Sequence, residues 1–393
     1  MTASTTAIER SRLPALTGAR FLAACMVLVC HVGIALIPRL GGTRAHDAQR
    51  YVEAAGNVGV SFFFVLSGFI LTWVSRPEDT ARRFWRRRLV KIFPNHLVTL
   101  AAALLLMLSA SVPITAINTV PTVFLVQSWI PEQDAVINYG GNAPSWSLAC
   151  ELLFYLSFPL LLRVARGIRP GHLWRWLAGT AVLIALVPLV AGLLPARPTM
   201  PLTNDHWWAV WFTYYFPVTR LLEFALGVLT ALIVMRGRRL PFGVVPALAL
   251  AVVAFVAGAH LPGVFDRVAA TSLPLALLIG ALARADTGDR VRVLGSRPLV
   301  RLGEISYSLY LVHYLVVAYG PIGAVHPENW AKPVSLAGVF GYGALTLAIS
   351  LVLAWLLYTC VEAPAMRRFS RPRPPKAAAR PAETAPQPSA PGT

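Results

Sequence analysis

Unbroken apolar runs of about twenty residues fill most of this chain and leave it few folds to choose from. Wound as a helix rising ~1.5 Å per residue, such a run matches the ~30 Å hydrocarbon core of a bilayer. Inside hydrocarbon every backbone N–H and C=O must find its partner within the protein, so each run is expected to be helical. The apolar residues come in blocks, without the alternation of a strand or the heptads of a coiled coil. Charged residues are 13 % of the 393, about half the ~25 % of a soluble domain. The expected fold is all-α, a polytopic membrane helix bundle of about ten transmembrane helices. The spans are read near 16–38, 57–75, 92–111, 146–165, 175–194, 212–235, 241–260, 268–284, 305–324 and 333–358. A further apolar segment, 119–130, is too short to cross and is expected as a partly inserted element of the loop 112–145.

The net charge of +18 raises nucleic acid as a partner, but the arginines sit in short segments between apolar runs, with no groove-reading or stacking motif. "RPEDTARRFWRRRLVK" (76–91), "RVARGIRPGHLWRW" (163–176), "RGRR" (236–239) and "RADTGDRVRVLGSRPLVRLGE" (284–304) fall on one side when ten spans are counted. The positive-inside rule makes that side cytoplasmic, together with both termini, in a multi-pass protein of the plasma membrane. Residues 1–15 are expected as a cytoplasmic segment, 16–369 as the membrane domain, and 370–393 as a disordered Pro/Ala-rich tail. Cys25, Cys30, Cys150 and Cys360 lie in or beside apolar runs and read as buried thiols, without zinc spacing or a disulfide framework. No histidine pair has ligand spacing with an acid, so no metal site is expected.

Polar side chains inside the spans are costly and mark candidate sites. Arg20 and His31, eleven residues apart, stand about three helical turns and ~16 Å apart on one face of the first span. Ser147, Glu151 and Tyr155 share a face of the fourth, and Ser306, Tyr310 and His313 a face of the ninth. Arg220 and Glu223 form a one-turn pair in the sixth, either an acceptor contact or a neutralising structural pair.

Five segments occur in order: "NVGVSFFFVLSGFILTW" (57–73), "RRRLVKIFP" (86–94), "PSWSLACELLFYLSFPLLL" (144–162), "ISYSLYLVHYLVV" (305–317) and "VEAPAMRRF" (361–369). With the arginine and histidine separated by ten residues in the first span, the series resembles the acyltransferase-3 family of integral membrane O-acyltransferases. The resemblance covers about 10–370. It implies transfer of an acyl group, usually acetyl from acetyl-CoA, to a hydroxyl of a carbohydrate, cell-surface glycan or glycosylated metabolite. No permanently bound cofactor is implied; acyl-CoA is a substrate. The family's arginine pair, three residues apart before the third span, is matched by Arg88 and Lys91, where lysine keeps the charge without the bidentate fork.

On that reading His31 is the catalytic residue, either activating the acceptor hydroxyl or carrying the acyl group itself. Glu151 is the acid expected to orient it. Arg20, Arg88 and Lys91 are expected to bind the donor's phosphates, with Arg82, Arg83 and Arg86 left to topology. Ser147, Tyr155, Ser306, Tyr310 and His313 are expected to line the substrate cavity. Loops 39–56, 112–145 and 195–213 are expected to shape acceptor choice. A transporter using the same polar groups as a relay is the rival reading.

Overall fold

The computed structural model describes residues 13–76, 78–137, 141–200, 205–288 and 293–369. The tail expected from residue 370, and all but the end of the N-terminal segment, lie outside these. The described chain is helical. Its principal helices are α1 (Pro14–Leu36), α2 (Thr43–Val74), α3 (Ala81–Ser109), α4 (Trp146–Gly167), α5 (Leu173–Ala191), α6 (Pro217–Met235), α7 (Val244–Gly258), α8 (Ser272–Thr287), α9 (Ser306–Tyr319) and α10 (Leu336–Leu357). One helix thus stands at each of the ten expected spans. Seven are long and apolar enough to cross a bilayer. The others, α7, α8 and α9, have 15, 16 and 14 residues. Most side chains of α8 and α9 are buried among neighbouring helices. A short helix enclosed by protein escapes the length a lipid-facing one needs.

Three boundaries differ from the hydropathy reading. The helix α2 begins at Thr43, not near 57, so most of the predicted loop 39–56 is helical. Hydropathy reports contact with lipid, whereas this polar first half is stabilised within the helix, for example by Gln49 donating to Glu53 at 2.8 Å. Likewise α3 starts at Ala81, capped by the Thr80 hydroxyl, and carries the basic run on its first turns. Beyond α10 the chain continues through a π-helical turn (Tyr358–Glu362) into a last helix, Ala363–Phe369. The short element at 119–130 is a capped helix, Ala116–Val123, followed by a 3-10 turn, Gln127–Trp129.

The centre is built from α2 against α1 and α6. Gly68 and Gly227 allow the α2–α6 approach: a Cβ on Gly68 would overlap the Phe224 carbonyl oxygen, and one on Gly227 that of Val65. Small residues at a crossing let backbones pack closely where lipid supplies no hydrophobic drive. Phe154 stacks on Phe224 at 4.9 Å and meets Phe64 edge-on at 5.0 Å, joining α4 to this crossing. Exposed apolar side chains such as Leu105, Leu186, Val253 and Phe340 lie on α3, α5, α7 and α10, the faces a bilayer would cover. Of the four cysteines, all free, Cys30 and Cys150 are buried and Cys25 half-buried, while Cys360 is exposed. Cys360 therefore departs from the expectation because it lies in the π-helical turn at the bundle's edge.

Candidate active site

Beginning α3 in the basic run has a direct consequence, since Arg88 and Lys91 become one-turn neighbours on a helix instead of loop residues. Arg88 lines an open basin between the α2–α3 connection and the last turns of α4. Arg83, Arg87, Arg163 and Arg166 line it too. Arg83, expected only to set topology, therefore belongs to the basin wall. Arg87 is held by Asp79 at 2.9 Å. Burial pushes the Asp79 carboxyl up, but the Arg87 hydrogen bond and charge outweigh it and hold it below its ordinary range. Arg166 donates to the Ser75 hydroxyl at 2.6 Å, tying α4 to the end of α2.

Deeper in the bundle is a second, smaller cavity lined by Arg20, Lys91, Glu151, Tyr155, Ser147 and Tyr310 among others. The α4 stripe read from sequence is continuous here, with Tyr155 donating to Glu151 at 3.0 Å. Ser147 bonds the Tyr310 hydroxyl at 2.7 Å, so the stripes of α4 and α9 meet. Arg20 and Lys91 share Glu151 and Glu362 as counter-charges. Two cations with one acid on the cavity wall and a second nearby avoid a large uncompensated charge in the membrane.

His31 lies beyond Tyr310. The Tyr310 ring is 5.9 Å from that of His313, which is 5.1 Å from the ring of His31. His31 Nδ1 lies 3.1 Å from His313 Nε2 and 2.9 Å from the Val27 carbonyl oxygen. The structure thus pairs His31 with His313, while Glu151 is bonded to Tyr155. The reason is local: four residues along a helix, the Tyr155 hydroxyl reaches the carboxylate directly. Of the three stripe residues Tyr310 lines this cavity, whereas His313 is turned to His31 and the buried Ser306 hydroxyl donates to the Gly303 carbonyl at 2.7 Å, so neither joins the lining expected of it.

One cavity residue and one buried acid near the same cations were missed in the sequence. Tyr307 lines the cavity and donates to the Ile92 carbonyl oxygen at 3.2 Å. Glu362 is turned into the bundle by the π-helical turn and accepts from Ser308 at 2.8 Å and Asn95 at 3.0 Å. A lone acid in "YTCVEAP", at the end of an apolar run, was the available signal.

The Arg220–Glu223 pair, left open between two roles, is structural. Its nitrogen and oxygen are 3.0 Å apart and both side chains are 1 % exposed. Phe64 and Tyr214 sandwich the guanidinium at 4.8 and 5.0 Å, and Ser272 donates to Glu223 at 2.7 Å.

A polytopic helical bundle that holds two cations and a carboxylate against one inner cavity, with a separate arginine basin, is built as a membrane protein with a charged site inside its span. The acyltransferase domain family matches residues 13–358, and the chain belongs to it. Acyltransferase MdmB of Streptomyces mycarofaciens is 40 % identical over 372 residues, which is 92 % of this chain and 94 % of that protein. The exopolysaccharide production protein ExoZ of Rhizobium meliloti is 29 % identical, covering 80 % of this chain and 90 % of its own. The candidate peptidoglycan O-acetyltransferase YrhL of Bacillus subtilis is 25 % identical over 85 % of this chain but 56 % of its own. No solved structure matches. Family membership makes this protein an acyltransferase of the membrane and decides against the transporter reading.

Proposed function

We propose that the protein moves an acyl group, most simply acetyl, from acyl-CoA to a hydroxyl of a carbohydrate or glycosylated small molecule. The basic end of the bundle faces the cytoplasm of a bacterial-type plasma membrane, where the donor is made, and both termini lie on that side. The observation that carries this reading is the succession of arginine basin, charged cavity and histidine pair through the bundle. Basin arginines suit the phosphates of the donor nucleotide. Arg88 supports this role, with its Nε buried and without a hydrogen-bond partner among the described residues. The narrower cavity suits the pantetheine arm, and the ~16 Å from Arg20 to His31 matches the reach that arm needs. Exopolysaccharide and peptidoglycan in the names of two relatives favour a sugar-type acceptor.

In this scheme His31 takes the proton of the acceptor hydroxyl as its oxygen attacks the thioester carbon. The carbon–sulfur bond breaks with its electron pair leaving on sulfur, and His31 returns the proton to the thiolate. Lys91 and Arg20 hold the donor in register, and Glu151, kept in place by Tyr155, balances their charge.

The test uses purified protein in lipid nanodiscs with isotopically labelled acetyl-CoA and sugar acceptors of increasing size, scored by mass. Acetyl transfer by wild type, lost in His31→Ala protein that still binds donor, is the expected result. Full activity of His31→Ala would reject the role of His31, and no transfer from any acyl-CoA would reject the donor.

A further inference from the structure

Both histidines of the pair use the same local device. His31 Nδ1 is 2.9 Å from the carbonyl oxygen of Val27, and His313 Nδ1 is 3.2 Å from that of Leu309, each four residues back on its own helix. A carbonyl oxygen only accepts, so each Nδ1 carries the proton of its neutral ring. Each Nε2 is then left with its lone pair. The 3.1 Å contact between His31 Nδ1 and His313 Nε2 therefore has one donor, the Nδ1–H of His31, shared between Val27 and His313. Around the pair stand Tyr310, whose hydroxyl is engaged with Ser147 and the Pro144 carbonyl, and Tyr314, edge-on to His31 at 5.2 Å. Among the described residues no carboxylate bonds either ring.

We propose that His313 is the positioning residue of the acyl transfer: its Nε2 accepts a hydrogen bond from the His31 Nδ1–H, sets the direction of that ring and, together with the Val27 carbonyl, holds the Nδ1–H tautomer that leaves His31 Nε2 bare as the base. This rests on the proposed use of His31. His313 occupies the place an aspartate takes in a hydrolytic triad, as a neutral acceptor. When the hydroxyl proton moves to His31 Nε2, the His31 Nδ1–H stays in place and its bond to His313 Nε2 strengthens as the ring becomes an imidazolium. The α9 backbone, through Leu309, in turn prevents His313 from presenting an N–H there. A neutral acceptor suits a site within the membrane, where a further buried charge would be costly.

The experiment compares His313→Leu, which removes the acceptor, with His313→Gln, whose side-chain oxygen can restore it. Steady-state kinetics are combined with nitrogen-15 NMR of histidine-labelled protein in nanodiscs, the His31 signals being assigned by their loss in His31→Gln. We expect His313→Leu to lower kcat by about 10²- to 10⁴-fold, in the range of misplaced general bases, with KM for donor and acceptor nearly unchanged. His313→Gln should regain about tenfold or more of that loss, an outcome mere packing would not produce. Wild-type His31 should show a protonated Nδ1 and a bare Nε2. A wild-type spectrum with Nε2 protonated, or undiminished kcat in His313→Leu, would overturn the assignment. The spectrum needs no turnover and no folded variant at His313, so the tautomer is tested even if His31→Ala proves active.

Discussion

Arg88 on α3 stands over the Tyr155 ring of α4, its guanidinium carbon 6.0 Å from the ring centroid, so that a residue of the arginine basin touches one of the inner cavity. Arg88 belongs to the basin wall and Tyr155 to the cavity wall. The ring also holds Glu151 through its hydroxyl. One contact thus ties the proposed anchor of the donor to the counter-charge of the deeper cations.

Replacing Arg88 should therefore act on donor binding. A lost charge-assisted phosphate bond of ~1.5–3 kcal/mol corresponds to about a 10- to 150-fold higher KM for acyl-CoA in Arg88→Ala. Arg88→Lys should recover part of this, because the charge stays while the planar contact over Tyr155 is weakened. Tyr155→Phe keeps the ring and loses the hydroxyl's hydrogen bonds, that to Glu151 among them, so its donor KM should change less. Initial-rate kinetics at saturating acceptor would check the order, and an unchanged KM in Arg88→Ala would move the donor elsewhere.

The buried Arg220–Glu223 pair governs stability. Removing one partner leaves an uncompensated charge in the core and should cost about 3–5 kcal/mol, whereas replacing both by apolar residues of similar size costs far less. Thermal unfolding in detergent of Arg220→Leu, Glu223→Leu and the double variant measures this. The double variant is expected to melt above either single one; simple additivity would show that the two groups do not compensate each other.

Closer still to the fold's centre, Gly68→Ala or Gly227→Ala should separate α2 from α6, because the added methyl meets backbone oxygen on the other helix. Backbone cannot turn aside as a side-chain tip can, so at least the ~1–3 kcal/mol typical of overpacking is expected. Gly179→Ala on α5, where nothing lies near, is the matched control. A gel-filtration monodispersity and melting comparison of the three would detect the difference, and equal behaviour would contradict the close crossing.

Which parts of this were legible in the sequence follows from what each signal measures. Hydropathy located all ten helices because each carries an apolar run, yet it put the start of α2 near 57 because Gln49 and Glu53 look like loop residues when only lipid contact is counted. Helical spacing gave the Ser147–Glu151–Tyr155 stripe, whose members lie within two turns and whose geometry is local. Spacing carries no information on which stripes face each other. Pairing His31 with His313 joins residues 282 apart, and it depends on how α1 packs against α9. Glu362 was passed over for a related reason: the π-helical turn shifts the register of the last helix, so its inward direction does not follow from a 3.6-residue period.

Outside the spans, the 3-10 turn Gly263–Asp266 between α7 and α8 holds a group set to respond to pH. Asp266 lies 3.3 Å from Arg267, whose shorter bond, 2.6 Å, goes to Asp205. Burial, with Asp205 and Glu53 nearby, outweighs Arg267 and raises the Asp266 carboxyl from 3.8 to about 6. A carboxyl that holds its proton more tightly when folded stabilises the protein fully below its unfolded value, and this contribution is lost as pH rises through the folded one. The window here is about 4 to 6, and the two-unit shift corresponds to about 3 kcal/mol. Asp266→Asn cannot ionise and keeps a side chain of the same shape, so it should gain stability relative to wild type across that window and hold the gain at neutral pH. Melting temperatures of both proteins in the same detergent, taken from pH 4 to 7.5, read the difference directly. A difference that stayed constant with pH would mean that Asp266 titrates alike in the folded and unfolded chain.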